Sequence, residues 1–305
     1  MQHGSFRGLF AIAVTPFDRH GEIDFASISG LCDFYIGHGA TAIIALGIMG
    51  EAHRLTAEEA AQLSTAFLKA ADGRVPLYFG VSNAALRNSA VLARHVMSQG
   101  AAGVLLAPLA NQRQERQVRS YLAAAIHAIG DDVPIILQDY PQETSTWLSA
   151  AGIGELIDAF PSLCALKHED CPGLAKISFL RSQERSVRVR TLPILSGNGA
   201  LYLPQELARG ANGAMTGFSY PETIARVCEL FDAGERAASE DLFDRFLPLL
   251  RHEQQPQMGL AIRKYVLERR GAIACRRLRE PGYELSAIDC VEIDALIARL
   301  ERGQR

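Results

Sequence analysis

The chain has 305 residues, of which 48% are hydrophobic and 21% are charged, so its composition is that of a globular protein and argues against disorder. Its 31 basic and 34 acidic residues give a net charge of -3, and no basic surplus points to nucleic acid or another polyanion. No apolar stretch reaches the roughly 18 residues that a membrane-spanning helix needs.

Short apolar runs recur along most of the chain and predict eight β-strands. They lie at residues 8–15, 41–46, 75–80, 103–107, 134–138, 163–166, 192–196 and 213–216. Segments with the apolar spacing of helices lie between them, at 56–71, 86–99, 114–129, 148–160 and 172–181. Thr56 and Glu59 form a capping-box pattern, which predicts the start of one of these helices.

Strands that alternate with helices in this way predict an α/β protein, and eight of them fit a (β/α)8 TIM barrel. A doubly wound open sheet is the alternative, but no G-x-G-x-x-G motif follows the first strand. After residue 232 the strand pattern ceases, and helices are predicted at 241–251, 257–269 and 286–301. We therefore expect a barrel at residues 1–232 and a C-terminal helical extension at 233–305.

Lysine is scarce, which narrows the search for an amine nucleophile. The four lysines are Lys69, Lys167, Lys176 and Lys264. Lys167 follows a buried apolar strand at its C-terminal end, where barrel enzymes place their active sites, whereas the other three lie on helical segments and are expected at the solvated surface. A desolvated lysine amine is nucleophilic towards a carbonyl carbon. The pattern leaves two interpretations open: a nucleophile, or an ammonium salt-bridged to Glu169 or Glu51.

Glycine-rich or polar segments follow three other strands and are expected to surround Lys167 at the mouth of the barrel. After strand two comes the turn formed by Gly47, Ile48, Met49, Gly50 and Glu51; after strand five, Gln138, Asp139, Tyr140 and Pro141; after strand seven, Gly197 and Asn198. The backbone N–H groups of a tight turn can hold a carboxylate. We expect the turn at Gly47–Glu51, supported by Glu51, to bind the carboxylate of a substrate. Gly197 and Asn198 are expected to contribute to substrate binding.

The histidine and cysteine patterns give no sign of a metal site. The eight histidines show no ligand spacing, and His168, next to Lys167, is expected to point the other way and pack. The six cysteines are scattered without a C-x-x-C pair, which is typical of buried, reduced thiols in a cytoplasmic protein. The N-terminus shows no signal-peptide pattern.

Taken together, these motifs resemble the dihydrodipicolinate synthase / N-acetylneuraminate lyase family of Schiff-base-forming class I aldolases over nearly the whole chain. The matching segments are Thr15-Pro16-Phe17, Gly47-x-x-Gly50-Glu51, Pro141, Lys167, Ser196-Gly197 and Gly210-Ala211-x-Gly213-Ala214. The resemblance implies that Lys167 forms a Schiff base with the keto carbon of pyruvate or another 2-keto acid, without a cofactor. It also implies a homotetramer, or at least a homodimer.

Departures from dihydrodipicolinate synthase fall at the positions of its hydroxyl relay and its second-substrate arginine. The chain has Ile48 and Met49 for two threonines, Gln138 and Asp139 for a tyrosine and an asparagine, Ala110 for a further tyrosine, and Glu143 near the arginine position. We expect Gln138 or Tyr140 to move protons instead. The glutamine-aspartate-x-proline motif and the C-terminal tail resemble the 2-keto-3-deoxy sugar-acid dehydratases more closely.

The sequence therefore predicts a Schiff-base lyase that acts on pyruvate or a 2-keto-3-deoxy sugar acid, as a dehydratase or an aldolase. One alternative is an aldolase like 4-hydroxy-tetrahydrodipicolinate synthase. A second is a barrel that binds a 2-keto acid and regulates without turnover. A third, an enzyme acting on phosphorylated sugars, has only the glycines at 210–213 in its favour.

Overall fold

A computed structural model shows the predicted barrel and describes residues 6–185 and 190–302, with the side chain of Arg185 left undescribed. Eight parallel strands pair in chain order, and the first pairs with the last to close the sheet. The strands are β1 (Gly8–Ile12), β2 (Ala40–Ala45), β3 (Leu77–Gly80), β4 (Gly103–Leu106), β5 (Ile135–Asp139), β6 (Leu163–His168), β7 (Ile194–Ser196) and β8 (Gly213–Thr216). The prediction of a TIM barrel is confirmed.

Helices follow the strands around the barrel, and the last three form the C-terminal part. They are α1 (Ala26–Gly37), α2 (Ala57–Ala71), α3 (Leu86–Ser98), α4 (Glu115–Ile129), α5 (Pro141–Thr144), α6 (Ala150–Ala159), α7 (Leu174–Arg185), α8 (Leu203–Ala208), α9 (Pro221–Asp232), α10 (Arg236–His252), α11 (Gly259–Arg269) and α12 (Ala287–Arg302). The capping box of Thr56 and Glu59 opens α2 as predicted. Among these helices, none is long and apolar enough to cross a membrane.

Alternation along the strands separates two apolar layers. The outer layer fills the space between strands and helices, and the inner layer fills the barrel with side chains that include Ile136 on β5, Ala165 on β6 and Leu195 on β7. Because strand side chains alternate, the residues two positions further along, such as Gln138 and Lys167, continue the inner face. The inner apolar layer therefore forms the floor beneath the polar groups at the barrel mouth.

Strand β6 is longer than its predicted apolar run. Lys167 and His168 continue the strand because they pair with Gln138 and Asp139 on β5. The ladder fixes the backbone of Lys167, so its amine emerges from a rigid element rather than a loop. Catalytic groups are positioned more precisely on such elements than on loops.

All six cysteines are free, but only Cys32 and Cys228 are buried; the other four are half-buried. The expectation of buried thiols is therefore confirmed for two cysteines and wrong for the other four. Most of the half-buried thiols lie outside the barrel strands, in loops or on α12, where apolar packing is incomplete.

Candidate active site

A cavity of about 440 Å³ opens at the C-terminal ends of the barrel strands. It brings together eight of the residues that the sequence predicted for the site: Lys167, Tyr140, Gln138, Gly47, Ile48, Met49, Glu51 and Asn198. Gly50 and Gly197, also predicted to bind substrate, are not among the described residues that line it. Gly50 packs against the backbone of its own turn, and Gly197 packs against the side chain of Glu169.

The amine of Lys167 contacts the carboxylate of Glu169 at the floor of this cavity. The Nζ to Oε1 distance is 2.8 Å, and each residue is 5% exposed. Since Glu169 lies two residues beyond Lys167, both side chains emerge on the same side of the chain. Of the two ion-pair partners left open by the sequence, Glu169 is the one observed, because Glu51 is engaged elsewhere.

The position of the Glu169 carboxylate is fixed from three directions. Besides Lys167, the side-chain amide of Gln138 donates to Oε1, and the backbone N–H of Asn198 donates to Oε2 over 2.9 Å. Behind it lies Gly197, where an added Cβ would fall 2.1 Å from Cγ of Glu169. The glycine is therefore needed for the close approach of strand β7 to this carboxylate.

The turn after β2 presents unpaired backbone donors. The N–H groups of Ile48, Met49 and Gly50 donate to no acceptor among the described residues, whereas that of Glu51 bonds to the carbonyl of Ile48. Ile48 and Met49 line the cavity. Consecutive N–H groups in a turn form a concave site for an anion, so this turn can hold a carboxylate without a hydroxyl side chain.

Glu51 braces that turn from beneath through a buried ion pair with the C-terminal extension. Its Oε1 lies 2.6 Å from Nζ of Lys264, and its Oε2 accepts from Arg54 over 2.8 Å and from the backbone N–H of Arg279 over 3.0 Å. The Lys264 ammonium also lies 4.5 Å from the centre of the Phe17 ring, a favourable cation–π distance. Burial lowers the pKa of Lys264, and the Glu51 carboxylate opposes that shift.

The expectation that Lys176 and Lys264 lie at the solvated surface was therefore wrong. Lys264 is fully buried, and Nζ of Lys176 lies 2.7 Å from Asp139 and 2.6 Å from Asp170, with its side chain 10% exposed. Each amine is paired with a carboxylate, which is the condition for burying a charge. Lys69 is exposed as expected.

His168 points away from the cavity, as expected, and packs in the outer layer. Its Nε2 lies 3.1 Å from the carbonyl of Gly173, and its Nδ1 lies 3.8 Å from Asp139. Its neighbour Glu206 accepts a hydrogen bond from Ser196, and burial raises the pKa of that carboxyl. This polar cluster lies on the helix side of β6 and β7, opposite the amine of Lys167.

Tyr140 lines the cavity at the end of β5, two residues beyond Gln138. Burial, with smaller contributions from the negative charges of Glu169 and Glu143, raises the pKa of Tyr140 to about 12. The phenol is therefore protonated at neutral pH and can donate a hydrogen bond, but it does not act as a base there. Glu143, which by the resemblance falls near the arginine of dihydrodipicolinate synthase, also lines the cavity and adds an acidic side chain to it.

The C-terminal extension supplies one wall of the cavity with charged residues that sequence reasoning missed. Glu253, which directly follows α10, is fully buried; its Oε2 lies 3.2 Å from Nε of Arg263 on α11, and Ser219 donates to both of its oxygens. Burial raises the pKa of Glu253 to about 7, although Arg263 and Ser219 lower it. Both residues lie in charged helical sequence, which carries no local sign of a cavity.

A buried lysine at the mouth of a TIM barrel, beside a carboxylate and a turn with free N–H groups, is the arrangement that the resemblance to Schiff-base-forming lyases implies. Comparison with known proteins gives the same class. The dihydrodipicolinate synthetase family model matches residues 5–299, and the chain belongs to that family. Members of the family are class I lyases, and this chain is accordingly an enzyme of the lyase class.

Individual relatives carry two kinds of name. An L-2-keto-3-deoxyarabonate dehydratase from Azospirillum brasilense is 29% identical, over 97% of this chain and 94% of the relative. A 4-hydroxy-tetrahydrodipicolinate synthase from Chlorobium chlorochromatii is 28% identical over 90% of each chain. The crystal structure of a dihydrodipicolinate synthase from Rhodopseudomonas palustris superposes with a TM-score of 0.94 at 43% identity, covering 96% of this chain and 97% of that one.

Proposed function

We propose that the protein is a Schiff-base-forming lyase that acts on a 2-keto acid, with Lys167 as its nucleophile. One observation carries the proposal: a buried amine on a rigid strand, 2.8 Å from a carboxylate, at the floor of a cavity. A nucleophile with an adjacent proton acceptor is the general arrangement of covalent catalysis. The free N–H groups of Ile48 and Met49 support it, because every 2-keto acid carries a carboxylate beside its keto carbon.

In the first half of the reaction, Glu169 accepts a proton from the Lys167 ammonium, and the neutral amine attacks C2 of the substrate. The resulting carbinolamine loses its oxygen as water, with the proton returned by Glu169, and an iminium ion forms. Gln138 is an amide and does not titrate, so its role is to position Glu169 through their hydrogen bond. No metal or organic cofactor is needed for these steps, since the lysine itself is the covalent catalyst.

In the second half, the iminium ion acidifies C3, and loss of a proton from C3 gives an enamine. In a dehydration, the C4 hydroxyl of the enamine is protonated and leaves as water, and hydrolysis of the resulting iminium releases the product and the amine. In an aldol cleavage, the C4 hydroxyl of the iminium loses its proton as the C3–C4 bond breaks, which gives an aldehyde and an enamine. Protonation of that enamine at C3 and hydrolysis of the iminium then release the second product. Either outcome needs a proton carrier near C3 and C4. Glu169 is the carboxylate beside the amine, and Tyr140 is a protonated phenol on the same cavity.

Dehydration of a 2-keto-3-deoxy sugar acid is the outcome we favour. It is supported by the Azospirillum relative, which is named a dehydratase and aligns over 97% of this chain. Ile48 and Met49 at the turn, and Gln138 bound to Glu169, offer no hydroxyl groups for a relay. The cavity of about 440 Å³ has room for a substrate longer than pyruvate.

Aldol condensation with pyruvate is the second candidate. Its support is the name of the Rhodopseudomonas relative, a dihydrodipicolinate synthase at 43% identity. Against it stands Glu143, an acidic side chain that lines the cavity and that, by the resemblance, falls near the arginine that binds the second substrate of dihydrodipicolinate synthase.

Borohydride reduction in the presence of pyruvate tests the proposal, because it converts an iminium on lysine into a stable amine. We expect peptide mass spectrometry to find the adduct on Lys167, and to find none in Lys167→Ala. The exposed Lys69→Ala is the matched control and should form the adduct as wild type does. Absence of the adduct in wild type would overturn the proposal.

A panel of 2-keto-3-deoxy acids and of pyruvate with aldehydes then separates the chemical outcomes. Lys167-dependent loss of water identifies a dehydratase, and Lys167-dependent bond formation or cleavage between C3 and C4 identifies an aldolase. Ligand binding without Lys167-dependent turnover would instead identify a regulatory barrel.

The proposal extends to a homo-oligomer, a tetramer or a dimer, in the cytoplasm. Family membership supports the assembly, and six free cysteines support a reducing compartment. Light scattering on the purified protein measures the first, and cell fractionation measures the second.

A further inference from the structure

The cavity wall formed by the C-terminal extension carries a cation with free donors. Among the described residues, three lysine or arginine side chains border the cavity: Arg54, Lys167 and Arg263. Lys167 is engaged by Glu169, and Arg54 donates to Glu51 and to the carbonyl of Arg279. Arg263 uses only its Nε, which donates to Glu253; its two terminal nitrogens donate to no acceptor among the described residues.

Glu253 engages the Arg263 guanidinium through a single nitrogen. The carboxylate is shared between Arg263, at 3.2 Å, and the hydroxyl and backbone N–H of Ser219. It meets the guanidinium at Nε alone, so the edge formed by the two terminal nitrogens is open. That edge matches a carboxylate with two parallel N–H···O bonds, the geometry in which arginine binds carboxylates most strongly.

The carboxylate beside the keto carbon does not require this arginine. The N–H groups of Ile48 and Met49, in the turn after β2, already offer it a binding site. Arg263 borders the same cavity as Lys167 and Tyr140, on the wall formed by the C-terminal extension. A second acidic group, at the far end of the substrate, is the partner that its free edge fits.

We propose that Arg263 binds a distal carboxylate, so that the preferred substrates are 2-keto acids with a second carboxylate at the end of the chain. The inference rests on the proposed function, because it takes Lys167 as the group that fixes the keto carbon. It assigns specificity to the C-terminal extension and the covalent chemistry to the barrel. Arg263 is accordingly a specificity-determining residue rather than a nucleophile or a proton carrier.

Pairs of 2-keto acids that differ only at the far end test this assignment. The probes are 2-oxoglutarate against 2-oxopentanoate, and 2-oxoadipate against 2-oxohexanoate; in each pair a carboxylate replaces a methyl group. The readout is the concentration of each acid that gives half-maximal borohydride adduct on Lys167. We expect wild type to favour the dicarboxylate of at least one pair by about 10- to 100-fold, the worth of a charge-assisted hydrogen-bonded contact.

Substitution should then remove the preference selectively. In Arg263→Gln we expect the ratio of the two half-maximal concentrations within a pair to fall to near one. Arg263→Lys keeps the charge but loses the two parallel N–H donors, so its ratio should lie between those of wild type and Arg263→Gln. Arg226→Gln, an exposed arginine on α9, is the matched control and should keep the wild-type ratio. The wild-type comparison needs no variant, so equal trapping of both members in both pairs overturns the assignment even if the Arg263 variants fold poorly.

The possible outcomes separate the two proposals. A pyruvate adduct on Lys167 together with equal trapping of both members in both pairs would overturn the role of Arg263 and leave the proposed function intact. A preference that persists in Arg263→Gln would also overturn it. No adduct with any keto acid would overturn both.

Discussion

The ammonium of Lys264 lies 2.6 Å from the carboxylate of Glu51, and neither side chain is exposed to solvent. The pair joins α11 of the C-terminal extension to the turn that follows β2. Removing one partner of a buried ion pair leaves an uncompensated charge, which costs more than the net stabilisation by the pair itself. The extension is therefore joined to the wall of the candidate active-site cavity by a contact whose loss would strongly destabilise the fold.

Lys264→Met should destabilise the protein by about 3 to 5 kcal/mol. The methionine fills a similar volume, but Glu51 then remains buried without its ammonium partner. Urea unfolding gives the free energy of unfolding, and Lys69→Met, an exposed lysine on α2, should change it by less than about 0.5 kcal/mol. Equal effects of the two substitutions would contradict the buried pair. In Glu51→Gln the same lysine substitution should cost much less, because no buried carboxylate is left unpaired.

Glu169→Gln should slow Schiff-base formation by about 100-fold or more, the usual contribution of a positioned proton carrier. The amide keeps the shape and the contact with Lys167 but cannot accept its proton. The rate of borohydride-trapped pyruvate adduct measures the effect. Asp170→Asn is the neighbouring control: Asp170 pairs with Lys176 and does not line the cavity. A wild-type rate in Glu169→Gln would exclude the carboxylate from this step.

Gly197→Ala should reduce the adduct rate on the order of 100-fold, because displacements near 1 Å at a reacting group have effects of that size. The new methyl group would lie 2.1 Å from Cγ of Glu169 and push its carboxylate away from Lys167. Gly30→Ala on α1, where an added Cβ meets nothing within 4 Å, is the control and should keep the wild-type rate. If Gly197→Ala folds and keeps that rate as well, the close packing behind Glu169 has no functional role.

Glu253→Gln should alter the pH dependence of stability. Burial raises the pKa of Glu253 to about 7, from 4.5 for an ordinary glutamate. Between these values the folded protein retains a proton that the unfolded chain releases, so the contribution of Glu253 to stability falls as pH rises through this window. As the pH rises from 4.5 to 7.5, the free energy of unfolding of the variant should therefore increase relative to that of wild type by at least about 1 kcal/mol.

Urea unfolding at several pH values measures this difference. Glu240→Gln, an exposed carboxylate on α10, the helix that Glu253 directly follows, serves as the control and should keep the wild-type pH dependence. A constant difference between Glu253→Gln and wild type across the pH range would show that Glu253 is ionised throughout.

Much of the barrel was predictable because its strands are buried on both faces and so appear as continuous apolar runs. Lys167 was predictable for a related reason: a lysine that ends such a run cannot be an ordinary surface residue. The ends of the strands were less predictable. Strand β6 includes Lys167 and His168 because β5 pairs with them, and pairing between strands is a tertiary property.

The buried lysines of the helices were not predictable from their own segments. Lys264 lies between Arg263 and Tyr265, in the kind of charged helical sequence that ordinarily faces solvent. Its burial depends on Glu51, more than 200 positions away in the chain, and on the ring of Phe17. The same holds for Glu253 and Arg263, whose contribution to the cavity follows only from the packing of the extension over the barrel mouth.

Arg263 and Lys264 are consecutive residues of α11, and successive side chains of an α-helix point about 100° apart. One therefore borders the cavity while the other reaches beneath the turn. Neither can be repositioned alone: a slide or rotation of α11 would carry the guanidinium away from the cavity and the ammonium away from Glu51 in one movement. Exchanging this tail for that of a relative would therefore change two things together: the residue proposed to recognise the substrate and the ion pair that supports the turn after β2.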